Sequence, residues 1–212
     1  MRFIFAAFVC LWGSIVSVPD LVSSQCRKPP VIFNFGDSNS DTGGLAAGLG
    51  YPINLPYGSS FFHRSTGRLC DGRLLIDFLC QSVNTSFLSP YLNSLDSNFA
   101  NGVNFAVVGS STFPKSVPFS LNIQVMQFLY FKTRSLELTA SGSKALINNE
   151  GFQAALYMID IGQNDLADSF AKQSYAQVIK TIPYVVSEIK NAVKVSSDHS
   201  CTICSILRCP SH

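Results

Sequence analysis

Charge is scarce in this chain. Only 13% of its 212 residues are Asp, Glu, Lys or Arg, about half the share usual in globular domains. With a formal charge of +2 there is no basic stripe to track a phosphate backbone and no acidic tail. Nucleic acid is therefore not an expected partner. No low-complexity tract or internal repeat is present, which argues against a solenoid. A membrane span is also missing. The one long apolar run, Phe3 to Val18, falls short of the roughly 20 residues a span needs, and Gly13, Ser14, Ser17 and Pro19 weaken it further.

Apolar residues are plentiful instead: 47% of the chain is hydrophobic and 12% aromatic, enough for one domain with a real core. Arg2 followed by the short apolar run and by Val22-Ser23-Ser24 reads as a signal peptide over 1–24, cleaved before Gln25. That predicts a secreted, extracellular protein without a transmembrane anchor in its mature form. Cys10 would leave with the signal. Cys26, Cys70, Cys80, Cys201, Cys204 and Cys209 remain. A secreted setting permits disulfides, but spacing does not define their pairing. Asn84-Thr85-Ser86 is a sequon for glycosylation at Asn84.

Between residues 25 and 195 strands alternate with helical segments, the pattern of a parallel α/β sheet. The first strand is Val31 to Phe35, ending at Gly36, with Ser38 in the turn that follows. Ser38 at a strand's carboxyl end suits a nucleophile, because open α/β sheets place their ligand crevice there. It equally suits a helix cap. Thr42 to Gly50 is glycine-rich, but it has neither G-x-G-x-x-G nor G-K-S/T. It reads as a flexible lead rather than a phosphate cradle. Tyr51 to Gly67 mixes Pro, Gly and aromatics, a loop that either shapes a substrate groove or packs on the surface. Asp71 to Val83 has helical apolar spacing, with Asp71 in its first turn. Asn84 to Asn101 is polar and turn-rich. A second strand, Gly102 to Val108, precedes Gly109-Ser110-Ser111-Thr112. A helix over Ser120 to Leu138 follows. The third strand, Ala154 to Ile161, runs into Gly162-Gln163-Asn164-Asp165. Tyr175 to Val193 is helical in period, and Pro183 is expected to break it, kink it or start its second half.

Three strand ends thus carry Ser38, Gly109 and Asn164. A serine nucleophile needs a base and also needs donors where an oxyanion develops. A glycine amide is unobstructed, and an asparagine side chain is a neutral N–H donor. On these residues the chain resembles the GDSL esterase/lipase family, the SGNH hydrolases. Gly36-Asp37-Ser38-Asn39-Ser40-Asp41 is similar to the first block, Asn104 to Gly109 to the second, and Gly162 to Asp165 to the third. Gly67 to Phe78 is similar to a stretch of the plant branch. The absence of G-x-S-x-G fits this family and not the ordinary α/β-hydrolases.

The resemblance implies Ser38 as nucleophile, with an oxyanion hole from the Ser38 amide, the Gly109 amide and the Asn164 side chain. It implies a three-layer α/β/α flavodoxin-like sandwich with a parallel sheet, and a carboxylic ester hydrolase acting through an acyl-serine intermediate. The expected substrates are small esters, lipids or acylated sugars, with no cofactor and no metal.

The family's fourth block, Asp-x-x-His, supplies base and orienting acid, and it is absent. Three residues before His63, His199 and His212 stand Ser60, Ser196 and Cys209. Asp198 adjoins His199, so their side chains diverge. No base or orienting acid is identified. The expectation is the N-terminal part of a GDSL domain over 25–195, incomplete at its C-terminus, with about three strands and an exposed third-strand edge. A divergent, Cys-rich tail over 196–212 follows. Activity would then be impaired. The alternative is a catalytically inactive relative that binds a ligand or another protein. Cys201, Cys204, Cys209 and His212 also have metal-ligand spacing, and Cys-x-x-Cys suits a redox pair. Disulfide bonding or sequence without a role accounts for the tail more simply.

Overall fold

Five buried residues in a row, Ile32–Gly36, form strand β1, and the sheet is built outward from it. The computed structural model describes residues 29–114, 117–197 and 203–205. The 1–24 segment, Cys26, Cys201, Cys209, His199 and His212 lie outside the described residues. In chain order the elements are β1, α1 (Gly44–Leu49), α2 (Leu75–Ser82), β2 (Gly102–Asn104), α3 (Leu121–Ala140), α4 (Asn149–Gln153), β3 (Leu156–Asp160), α5 (Gln163–Lys172), α6 (Tyr175–Ser197) and β4 (Ile203–Ser205). The sheet order is β2-β1-β3-β4 and every pairing is parallel. That is the flavodoxin-like order as far as its fourth strand.

The three-layer α/β/α architecture follows from side-chain alternation along the strands. Phe33 and Phe35 of β1, with Tyr157 and Ile159 of β3, enter one core, shared with Phe128 of α3 and Ile189 of α6. Ile32 and Met158 enter the opposite core, with Ile76 and Cys80 of α2. The first core is aromatic. Phe33 stacks on Phe152 at 5.2 Å and meets Phe128 edge-on at 5.1 Å, while Phe35 stacks on Phe105 at 5.2 Å. Such pairs add about 0.5–1.5 kcal/mol each beyond their area burial.

Several elements differ from the sequence reading. Residues 44–49 are helical, not a flexible lead. The Asp41 carboxylate accepts from the Gly43 and Gly44 N–H groups, and this capping offsets the poor helix propensity of glycine. Helix α2 starts at Leu75, not Asp71. The Asp71 carbonyl is engaged by the Ser60 N–H and hydroxyl, and the helix is capped by Asp77, which accepts from the Leu74 N–H at 2.9 Å. Strand β2 ends at Asn104; the Phe105 and Val107 N–H groups still donate to the Asn34 and Gly36 carbonyls of β1 at 2.8 and 3.2 Å, and the Ala106 N–H between them donates to Asn104 Oδ1 at 3.0 Å. Pro183 interrupts nothing: α6 runs through it. The proline is exposed, so the carbonyl it leaves unbonded can meet water. The edge of β3 is paired, because Tyr157, Met158 and Ile159 align with Ile203, Cys204 and Ser205. The sheet has a fourth strand, contributed by the tail, where three were expected. Periodicity cannot reveal a strand of three residues.

Among the described residues, no helix is long and apolar enough to cross a membrane. Cys70 and Cys80 are free thiols.

One buried ion pair ties the aromatic loop to α2. Arg68 donates from Nε and Nη2 to Asp77 at 2.9 and 2.6 Å, and both side chains are nearly inaccessible. Its guanidinium also lies 4.7 Å from the centre of the Phe62 ring. Removing one partner of such a pair strands the other charge away from water, at a cost of about 3–5 kcal/mol. Asp77→Ala is expected to lower stability by about that amount, read from the urea midpoint. A midpoint shifted by less than a surface substitution would contradict this role.

Candidate active site

The site lies where β1 and β3 end and the sheet order reverses, since β2 is reached on one side of β1 and β3 on the other. Ligand crevices of open α/β sheets form at such switch points. Gly36 closes β1 in a crowded place. A β-carbon there would stand 2.4 Å from the Asp160 carbonyl oxygen and 2.7 Å from Ser40 Oγ, so only glycine fits. Its backbone is gripped by the buried Gln124 side chain of α3. The Gly36 N–H donates to Oε1 at 2.9 Å, and Nε2 donates to the Gly36 carbonyl at 2.8 Å.

Beyond Gly36 the chain turns. The Ser40 N–H donates to the Asp37 carbonyl at 3.2 Å, and the Asn39 N–H to Asp37 Oδ1 at 3.0 Å. Ser38 is half-buried in this turn. No helix begins at Ser38, so the cap reading of that serine falls. Asp41 has that role. Its buried carboxylate also accepts from the Leu45 N–H at 3.1 Å and the Val108 N–H at 2.8 Å. Burial pushes the Asp41 pKa up, while its bonds from the Gly43, Val108, Leu45 and Gly44 amides pull the other way.

The Val108 bond brings the second block beside the first. Gly109 follows with φ of 77°, a left-handed conformation that favours glycine. Asn104 adds a second tie. Its Nδ2 donates to the Ser40 carbonyl at 2.6 Å and to Thr42 Oγ1 at 2.9 Å, and its Oδ1 accepts from Asn34 at 2.7 Å.

Asn164, in the first turn of α5, closes the group. Its Nδ2 donates to the Ser110 carbonyl at 2.8 Å and to Asp37 Oδ2 at 3.3 Å. One nitrogen therefore joins the residue before Ser38 to the residue after Gly109. The structure brings the Ser38 turn, the Gly109 loop and Asn164 to one edge of the sheet, Gly109 not at a strand end but on the loop beyond β2, tied there by the Val108–Asp41 and Asn164–Ser110 bonds. Gln163 Nε2 donates to Asp37 Oδ1 at 2.9 Å. The buried Asp165 accepts from the Thr112 N–H at 2.9 Å and the Thr112 hydroxyl at 2.8 Å.

Asp37 is fully buried. Burial raises its pKa to about 6, assisted by the charges of Asp160 and Asp165 and opposed by its bonds from Asn39 and Gln163.

His63 is not part of this group. It is exposed, with its Nδ1 3.1 Å from the Ser59 carbonyl in its own loop. That aromatic loop is part packing and part surface. Phe62 packs on Phe61 and Phe87, while Tyr51 and Tyr57 are exposed. The end of the loop touches the start of α1, Gly67 against Gly43, and a cavity of about 350 Å³ beside this contact is lined in part by Thr42, Gly43, Thr66 and Gly67.

Sequence reasoning met Asp37, Asp41, Asn104, Gln163 and Asp165 only as members of the three blocks and gave them no role, and it passed over Gln124. For Asp41 a signal existed: an Asp two to four residues ahead of a run of free N–H groups can accept from them, as it does here from Gly43, Gly44 and Leu45. Gln124 shows only as a polar residue among the apolar positions of α3, which periodicity discounts.

Parallel strands in this order, with a serine turn, a glycine turn and an asparagine at adjacent carboxyl ends, define an α/β protein of the SGNH hydrolase fold. The chain belongs to the GDSL-like lipase/acylhydrolase family, whose model matches residues 32–210. It is 66% identical over 182 residues to a GDSL esterase/lipase of Arabidopsis thaliana, covering 84% of this chain and 49% of the relative. It is 61% identical over 197 residues to GDSL esterase/lipase LIP-4 of Arabidopsis thaliana, covering 91% of this chain and 52% of the relative. An esterase of Hevea brasiliensis is 48% identical over 184 residues, covering 81% of this chain and 47% of the relative. The chain thus spans about half the length of these relatives.

The raised pKa of Asp37 carries a sign. The folded protein binds this proton more tightly than an unfolded aspartate does, so the contribution favours folding below about pH 4. It is lost as pH rises through about 6. Relative to Asp37→Asn, which carries no such charge, the wild type is expected to lose up to about 3 kcal/mol across that window. Paired urea melts at pH 4 and 7 measure this. A difference that stays constant, or runs the other way, would refute it.

Proposed function

We propose that this protein is a secreted serine ester hydrolase of the GDSL esterase/lipase type, with Ser38 as nucleophile. The observation that carries this reading is the Asn164 amide nitrogen, which spans from Asp37 beside Ser38 to Ser110 beside Gly109. An acyl group would pass to Ser38 Oγ as the alcohol leaves, and water would then release the acid. The Ser38 and Gly109 amides and the Asn164 side chain are the donors for the oxyanion. A small ester, lipid or acylated sugar is the substrate class. The names of the relatives support ester chemistry and leave the acyl and alcohol parts open.

The base is the part these residues do not supply. The 212 residues contain no Asp-x-x-His, and His63 is bonded within its own loop. Turnover by this chain alone is therefore expected to be slow, because removing a triad member leaves only the catalysis due to the oxyanion hole and binding. The same observation favours the alternative, a ligand-binding or interaction protein without turnover.

Fluorophosphonate labelling and hydrolysis of a p-nitrophenyl ester separate the two. Slow labelling is expected, absent in Ser38→Ala, with the ester rate about 10²–10³ lower in Asn164→Ala. Folded protein that never labels but retains the ester in equilibrium dialysis decides for the binding role.

Secretion rests on the 1–24 segment and on an exposed sequon. Asn84 stands just beyond α2, exposed, with φ of 55°. Expressed in a secreting eukaryotic cell, the protein should begin at Gln25 and lose a glycan on Asn84→Gln or on glycosidase digestion. Retention of residues 1–24 or an unmodified Asn84 would count against this.

A further inference from the structure

The Asn164 amide is already engaged before any substrate arrives. An NH₂ group has two hydrogens, and here Nδ2 faces two acceptors, the Ser110 carbonyl at 2.8 Å and Asp37 Oδ2 at 3.3 Å. To donate to an oxyanion the amide must loosen one of them. The longer bond, to Asp37, is the one to yield. The Ser110 carbonyl has no proton to gain, whereas a carboxylate can be neutralised. Neutral–neutral hydrogen bonds are roughly half as strong as those to a charged acceptor.

We propose that Asp37 is a positioning residue, a proton-operated latch on the Asn164 oxyanion donor. When Asp37 is ionised, its carboxylate holds the Asn164 and Gln163 amides. When it takes a proton from solvent, the Asn164 N–H is released to face the position beside Ser38. The catalytic half of this inference rests on the function proposed above. The latch itself rests on the hydrogen-bond geometry around Asp37, with its raised pKa in support.

The surroundings suit such a latch. Asp37 is fully buried, so its charge is held by fixed groups and not by water. From β3 it faces Asp160, and from α5 it faces Asp165, both negative and both favouring the proton on Asp37. Residues 106–114 of the facing loop carry no charge. Within its own segment Asp41 is the other acid, and its carboxylate is occupied by the Gly43, Gly44, Leu45 and Val108 amides. Among the described residues the donors to Asp37 are neutral: the Asn39 N–H and the Gln163 and Asn164 amides. Burial and neighbouring charge place its titration near pH 6, where a proton is readily exchanged.

The test is a pH titration of the side-chain amide signals of ¹⁵N-labelled protein, with Asn164 and Gln163 assigned by Asn164→Gln and Gln163→Ala. Both NH₂ groups are expected to shift together with one midpoint near 6. In Asp37→Asn the shift should vanish. In Gln163→Ala the Asn164 midpoint should rise, because a donor to the ionised form is gone; this variant keeps the test open should Asp37→Asn fail to fold. An Asn164 signal that is flat with pH, or that titrates unchanged in Asp37→Asn, would overturn the latch. Fluorophosphonate labelling across the same range keeps the two ideas apart. An amide that titrates while Ser38 never labels removes the hydrolase reading and leaves the latch. A Ser38 that labels while the amide is flat does the reverse.

Discussion

Four backbone N–H groups converge on one buried carboxylate, that of Asp41. Three of them, from Gly43, Gly44 and Leu45, start α1. The fourth, from Val108, belongs to a loop more than sixty residues further along the chain. Without Asp41 these donors would face a largely apolar interior, where an unmade hydrogen bond costs about 1–3 kcal/mol per group. The turn carrying Ser38 and the loop carrying Gly109 are held at a common distance because they share this acceptor.

The same device recurs around the site. Gln124 bonds both backbone groups of Gly36, the last residue of β1, Asn104 joins Asn34 to the Ser40 and Thr42 turn, and Asp165 ties Thr112 to α5. Each is a buried polar side chain whose bonds go to segments distant in sequence. Such networks are costly if half made and rigid when complete. Rigidity of this kind holds the Ser38 turn, the Gly109 loop and the start of α5 in fixed relation. The aromatic core below, centred on Phe33 and Phe128, contributes stability but no comparable directional constraint.

Asp37 stands apart from these ties. Asp41, Gln124, Asn104 and Asp165 bond mainly to backbone or to other structural side chains. Asp37 bonds to two side-chain amides in the first turn of α5 and sits among like charges. Its partners include a proposed catalytic donor, the Asn164 amide. Its environment favours the neutral form, while its neighbours' amides favour the charged one.

Much was legible from the chain alone. The alternation of Ile32, Phe33, Asn34 and Phe35, the apolar period of α3 and α6, and the glycines at strand ends determined a parallel α/β sheet, because periods of 2 and 3.6 are local properties. The blocks around Ser38, Gly109 and Asn164 determined the family. Only the tertiary structure decided that residues 44–49 are a helix, that Pro183 is carried within one, and that Ile203–Ser205 adds a strand beside β3. It alone decided which polar residues organise the site. Asp37 and Asp165 stand in the first and third blocks, but their roles, like that of Gln124, have no local signature, since a carboxylate or amide acquires its meaning from the groups that folding brings within about 3 Å. The physical reason is one of range: backbone preference and hydrophobic period act over a few residues, whereas a buried hydrogen bond is specified by its partner, which here is often more than fifty residues away.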